Sequence, residues 1–310
     1  MTTIEAVASS SPSAGVSRLR RAYEGRALPV SIVLVFIVIA WYAGAVYLNS
    51  PQVIEQFERN KVEWTMGDLM SESWEMGRPV LPSPHQVAIE LYKTTAQQKI
   101  TSKRSLLYHA YVTGSATLLG FVLGIILGVS LAVGIVHVLT LERSLLPWII
   151  ASQTVPILAI APMVVVILGN MGYTGLLPKS LISMYLCFFP VVIGMVKGLR
   201  SPDPLQMDLM RTYNASQGQV FWKLRLASSV PFLFTSLKVA IAISLVGAIV
   251  GELPTGAQAG IGARLLSGSY YGQTVQIWSA LIVASALGMV LVYAVGLTER
   301  IVARKMGAKP

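Results

Sequence analysis

Six long apolar runs dominate the chain: Leu28–Leu48, Tyr111–Leu139, Leu145–Leu168, Leu177–Val196, Phe232–Val250 and Val275–Leu297. Each approaches or exceeds the roughly 20 residues a helix needs to cross a hydrocarbon layer about 30 Å thick. Hydrocarbon supplies no hydrogen-bond partners, so a segment inside it must satisfy its own backbone, and the α-helix does this within one segment. The expected fold is therefore all-α, an integral membrane helical bundle with six transmembrane helices. Composition agrees. Charged residues make up 12% of the chain, about half the share found in soluble domains. Apolar residues fill nearly every position of the runs, so periodicity does not show which face meets lipid.

The runs divide the chain. Residues 1–27 read as a cytoplasmic tail ending in the basic cluster Arg18, Arg20, Arg21 and Arg26. Residues 28–48 read as the first transmembrane helix. A cleavable leader, with Ala43-Gly44-Ala45 as its processing site, is the alternative left open there. Residues 49–110 mix charges with Trp64 and Trp74 and are expected to form short helices outside the bilayer. Residues 111–300 form the core, with a polar loop at 200–231, and 301–310 a second cytoplasmic tail. With the N-terminus inside, the inner segments carry fourteen basic and six acidic side chains, net +8. The outer ones carry nine and eight, net +1. Basic residues concentrate on the cytoplasmic side of membrane proteins, so both termini and the 200–231 loop are expected in the cytoplasm. Lys238 lies inside the fifth run, near enough to its inner end to snorkel. The formal charge of +10 thus follows topology. Without a basic block interleaved with aromatics it does not point to nucleic acid.

Within the runs, Gly120, Gly124 and Gly128 recur every fourth residue and lay a small-residue stripe along one helix face. Such a stripe serves close static packing or a sliding surface. Pro156 and Pro162 interrupt the third run, where Gln153 and Thr154 are polar at bilayer depth. Proline removes a backbone donor, so this span reads as kinked, its polar groups facing either a translocation path or neighbouring helices. Glu252 closes the fifth run within GAIVGELPTGAQAGIG. A carboxylate there needs a partner: it meets solute or a gate residue, or it pairs in interfacial water. Gln153, Thr154, Asn170, Tyr185, Glu252 and Gln258 are the candidate pathway residues. Enzyme chemistry finds little support. Cys187 is the sole cysteine, and His85, His109 and His137 lack ligand spacing. No Gly-x-x-x-x-Gly-Lys-Ser/Thr loop occurs, so no metal or cofactor is expected on this chain.

The loop between the fourth and fifth runs, LQMDLMRTYNASQGQVFWKLRLASSVP, carries Asp208, then Asn214 six residues on, then Leu224, Leu226 and Ala227. This order resembles the coupling loop of ABC importer permeases, the membrane subunits of binding-protein-dependent uptake systems. Leu209 and Met210 stand where the family has alanines, Asn214 where it has glycine and Ala227 where it has proline. Asparagine tolerates the left-handed conformation of a sharp turn, and Pro231 is expected to end the second loop helix. LPSP at Leu81–Pro84 and the run Gly247–Gly262 are similar to the subgroup serving nitrate, sulfonates, taurine and pyrimidine-type precursors, and the resemblance spans roughly residues 80 to 305. It implies a multi-pass protein of the bacterial inner membrane. Its implied partners are a second copy of the chain, two cytoplasmic ABC ATPase subunits holding ATP and Mg, an external solute-binding protein and membrane lipid. Asp208, Leu209, Met210, Arg211, Asn214 and Ala215 would form the ATPase-coupling loop. A membrane anchor docking a cytoplasmic partner and an ion-driven carrier remain the alternatives.

Overall fold

The computed structural model describes residues 27–254 and 257–307. The terminal cluster Arg18–Arg26 and Lys309 lie outside them. Among the described residues the secondary structure is helical, and it forms two compact units, one ending at Val87 and the other beginning at Ala88.

In the first unit, α1 (Ala27–Asn60) outruns the expected 28–48 span. Its 34 residues reach roughly 50 Å at 1.5 Å per residue, about 20 Å more than the hydrocarbon thickness. The projection is held by Asn49, whose fully buried amide is saturated. Its Oδ1 accepts from the Val80 and Leu81 N–H groups at 2.8 and 3.2 Å, and its Nδ2 donates to the Ser73 and Leu81 carbonyls at 3.0 and 2.9 Å. A short helix, α2 (Met66–Glu75), starts at a reciprocal Thr65–Asp68 capping box. The LPSP motif then has one task per residue. Asn49 clamps the Leu81 backbone, and the Pro82 carbonyl accepts from Trp41 Nε1 at 2.9 Å. The Ser83 hydroxyl donates to the Trp74 carbonyl at 2.7 Å, and Pro84 opens α3 (Pro84–Thr95), where its missing N–H costs nothing.

The second unit is built around α4 (Leu106–His137), α7 (Leu176–Leu199) and α10 (Leu226–Gly251). A Cβ added to Gly120 would lie 2.6 Å from the Ser180 carbonyl, and one on Gly128 would lie 2.8 Å from Val191 Cβ. Gly124 is closed by the Cys187 sulfur. The stripe therefore seats α4 against α7 at backbone distance, and the rising residue pairs show that the two helices run parallel. On the other side of α7 the order reverses. Gly198 meets Ser229, and Gly247 meets Ser183 Cα at 2.7 Å, so α10 is antiparallel. The last helix, α12 (Thr274–Lys305), completes a core with Phe121, Val191, Ile241 and Leu291.

Among the described residues, five helices are long and apolar enough to span a membrane. The expected third span is not one kinked helix. It breaks into α5 (Leu139–Ser152) and α6 (Ile157–Asn170), bent by 97°. Pro156 withholds an N–H, and the chain closes the gap with short turns: Gln153 N–H to the Ile150 carbonyl at 3.1 Å and Ala159 N–H to the Pro156 carbonyl at 3.0 Å. Because α4 and α7 are parallel, the chain leaving α4 at one membrane face must return to the other before α7 begins. The broken pair makes that return, which gives six crossings. Replacing Gly120 with Ala forces a methyl into the Ser180 carbonyl, and backbone cannot rotate away. The expected loss is about 1–3 kcal/mol, seen as a lower thermal midpoint in detergent, while Gly218→Ala, whose Cβ meets open space, leaves the midpoint unchanged. Equal midpoints for both variants would contradict the packing.

Candidate functional site

Two features stand out, one on each side of the bundle. The first is the polar loop. Asp203 caps α8 (Pro204–Thr212), its carboxylate accepting from the Leu205 N–H at 2.8 Å, and Pro204 takes the first helical position. The helix ends in a Schellman arrangement. Ala215 N–H reaches back to the Met210 carbonyl at 3.0 Å and Asn214 N–H to the Arg211 carbonyl at 2.9 Å, with Asn214 at φ 49°. Asparagine thus holds the left-handed position where glycine would be the usual choice. Ser216 caps the next turn, α9 (Gln217–Val220), through a second reciprocal box with Gln219. That turn does not end before α10. A π-helical turn at Phe221–Arg225 carries it directly into α10, and Pro231 lies inside the helix. The expectation that Pro231 ends the loop helix is overturned: the wider turn absorbs the change in direction, so no stop is needed.

Asp208 and Arg211 pair with each other at 3.2 Å on the surface. Leu205, Leu209 and Tyr213 follow at intervals of four along one face of α8, 76%, 55% and 76% exposed. Met210 and Ala215 are only half-exposed, so Leu205, not Met210, continues the face of Leu209. Leu205 was missed because the family pattern begins at the acid, whereas a simple four-residue count finds it.

The second feature lies where α4 and α7 begin and α6 and α10 end. Glu252, fully buried, accepts from the Gly262 N–H at 2.9 Å, from the Thr113 hydroxyl at 2.9 Å and from Lys179 Nζ at 3.4 Å. Every contact is a donor, which is what an ionised carboxylate requires. Lys179 Nζ also donates to the Ala259 carbonyl at 2.7 Å, and Thr113 Oγ1 accepts from the Ile261 N–H at 2.8 Å. His109 Nδ1 accepts from the Gly260 N–H at 3.0 Å, while its Nε2 donates to the Lys103 carbonyl at 2.9 Å, so the ring carries its proton on Nε2. Gly260 sits at φ 127°, and any Cβ there would enter the Glu252 carboxylate. These contacts latch the turn between α10 and α11 (Ile261–Tyr270) onto α4 and α7.

Beside the latch is a cavity of about 690 Å³, walled by Tyr108 and Val112 of α4, Val165 of α6, Tyr173, Lys179 of α7 and Gln258. Of the six pathway candidates, Gln258 faces it, Glu252 lies behind Lys179, and Asn170 follows the lining residue Gly169. Gln153, Thr154 and Tyr185 gather elsewhere, at the break. Tyr185 O–H donates to the Ser152 carbonyl, Gln153 Nε2 to Ser152 Oγ at 3.2 Å and Thr154 to the Ala151 carbonyl at 2.8 Å. Lys179 and Thr113 were not among the sequence candidates. Lys179 reads there as an ordinary loop-end charge, and nothing local ties it to a carboxylate 73 positions away.

The profile of the family described as binding-protein-dependent transport system inner membrane component matches residues 120–308. The chain belongs to that family. It is 28% identical to the riboflavin transport system permease protein RibX of Chloroflexus aurantiacus, over 91% of each chain. It is 29% identical to the formylaminopyrimidine transport permease protein ThiX of Halalkalibacterium halodurans, over 60% of this chain and 70% of that one. A probable ABC transporter permease protein of Haemophilus influenzae is 28% identical over 72% and 88%. The chain is thus an ABC importer permease subunit, a multi-pass membrane protein of the subgroup that LPSP and the Gly-rich segment indicated.

For this permease the latch makes a direct prediction. Glu252→Ala leaves Lys179 buried without its carboxylate and is expected to cost about 3–5 kcal/mol. Thr113→Val removes the hydroxyl that donates to Glu252 and accepts from the Ile261 N–H and should cost about 1–3 kcal/mol. Both losses should appear as lower thermal midpoints and as faster proteolysis between residues 252 and 260. A Glu252→Ala protein with native stability would show that the latch holds nothing.

Proposed function

We propose that this permease forms the translocation pathway of an ATP-driven importer for a small polar organic solute or anion. It works as a pair of identical subunits, each gripping one cytoplasmic ATPase that holds ATP and Mg, and it takes solute from an external binding protein. The observation that carries the reading is the apolar face of α8. Leu205, Leu209 and Tyr213 stand exposed on a capped helix whose ends are fixed by Asp203 and Asn214. An apolar stripe held that rigidly on a polar loop suits a groove on a partner, and burial there contributes about 1.5–3 kcal/mol per large side chain.

Force applied to α8 has a continuous path into the membrane. The loop passes through the π-helical turn into α10 without a flexible joint. Arg200, at the end of α7, grips Glu142 of α5 with two bonds at 3.0 and 2.7 Å. A displacement of the loop therefore reaches both the helix that carries Gly247 and the helix before the Pro156 break. The chain supplies two arrangements of one bundle, and the ATPases supply the energy that selects between them.

In a reconstituted importer, Leu205→Asp with Leu209→Asp is expected to release the ATPase and abolish uptake while binding-protein association persists. Asn214→Gly should retain uptake, since glycine takes positive φ freely, and Asn214→Val should lose it. Normal transport by the double Asp variant with its ATPase attached would reduce the loop to a connector.

The charge bias that supports an inward loop is tested separately. In a Cys187→Ser background, single cysteines at the exposed positions Ser71 and Ser216 are expected to react with an impermeant thiol reagent from opposite sides of the membrane. Ser73 is unsuitable because it is buried. Labelling of both from one side would overturn the orientation.

A further inference from the structure

The cavity beside the Glu252 latch has a chemistry of its own. Its volume, about 690 Å³, lies within the range of roughly 300–1,000 Å³ typical of sites for organic ligands. An inorganic oxyanion would leave most of that space unfilled. The walls contributed by Val112 and Val165 are apolar, and Tyr108 and Tyr173 add aromatic rings that each carry a hydroxyl. Gln258, on the turn, offers an amide that both donates and accepts.

Charge decides between classes of organic solute. Among the described lining residues Lys179 is the only charged one, and its ammonium is already matched by Glu252 directly behind it. The wall therefore presents a hydrogen-bond donor with little net field. A free anion would have to compete with a buried carboxylate for the same ammonium and would feel its repulsion. An uncharged or zwitterionic ring with carbonyl or ring-nitrogen acceptors meets no such cost.

On the proposal that this chain is the importer's pathway, we infer that this cavity is a solute site for a planar, polar, net-neutral heterocycle rather than a sulfonate or inorganic anion. Tyr108 and Tyr173 flank the ring, Gln258 reads its edge and Lys179 donates to an acceptor on it.

The test uses the permease with its ATPase in lipid nanodiscs, dialysed to equilibrium against radiolabelled cytosine, riboflavin and taurine, with unlabelled nitrate as competitor. Saturable binding of at least one ring compound is expected, with none of taurine and no displacement by nitrate. The key variant is Gly169→Phe. Gly169 lines the cavity and a Cβ there meets nothing within 4 Å, so the ring fills the space without disturbing the latch. It should weaken ring binding by about tenfold or more while the ATPase stays attached, and Gln258→Ala should weaken it by less. Three results overturn the inference: taurine binding, displacement by nitrate, or ring binding unaffected by Gly169→Phe. Absence of binding by every probe also overturns it. Loss of the ATPase from the native complex would instead count against the importer reading, so the two failures are distinguishable.

Discussion

Backbone-to-backbone contact along α7 is the constraint on which the second unit depends. On one side Gly120, Gly124 and Gly128 bring α4 within reach of Ser180, Cys187 and Val191, and on the other Gly247 and Gly251 bring α10 against Ser183 and Lys179. Lipid tails are as apolar as leucine, so helices in a bilayer gain little by hiding apolar surface from lipid and are held by close packing and polar contacts. Both occur here. Where the helices touch, the Ser183 hydroxyl donates to the Ser244 carbonyl at 2.6 Å and the Ser244 hydroxyl to the Thr117 carbonyl at 2.9 Å. These bonds form only because glycine lets the backbones approach.

The same approach sets the position of the latch. Gly251 places the end of α10 beside the Lys179 backbone, 3.1 Å from Cα to the nearest added Cβ. That brings Glu252 to the Lys179 ammonium and to Thr113 on α4. The carboxylate then has nowhere to meet water, and two backbone positions of the following turn must yield to it, Gly260 by adopting φ 127° and Gly262 by donating its N–H. The Gly-rich composition of this segment is thus a steric consequence of burying one acid. A larger residue at either glycine would have to displace the carboxylate or the Ile249 carbonyl.

Features that depend on short sequence separation were legible. The apolar runs announced the bundle, the four-residue glycine spacing announced the stripe, and Asn214 announced a turn because few other residues tolerate positive φ. Features set by distant contacts were not. The two prolines signalled an interruption near residue 156, but a missing donor does not show how far the chain turns there, and the 97° bend was not legible. The first span was read as ending at Leu48 because the following residues are polar. Nothing local shows that the helix continues to Asn60, stabilised by an asparagine that clamps a segment some thirty residues on. The choice of pathway candidates rested on polarity within or beside the apolar runs. It cannot separate the three that satisfy the broken helix from Gln258, which faces a cavity.

That separation changes what the polar residues mean. Tyr185, Gln153 and Thr154 bond to carbonyls and a hydroxyl within or beside the end of α5, so their polarity is consumed by the backbone that the break exposes. Lys179 is polar in the opposite sense. Its charge is balanced from behind, and part of the residue still faces open space. A buried ion pair costs more desolvation than it returns unless hydrogen bonds complete it, and here the Gly262, Thr113 and Ala259 contacts do so. The latch therefore fixes the turn between α10 and α11 and, by the same contacts, offsets the field of Lys179, the one cation among the described lining residues. Any rearrangement that drew Glu252 away from Lys179 would give the cavity a net positive charge and leave the turn held only by the Lys179, Thr113 and His109 contacts to Ala259, Ile261 and Gly260. The position of the turn and the charge of the cavity wall are accordingly coupled through the Lys179–Glu252 pair.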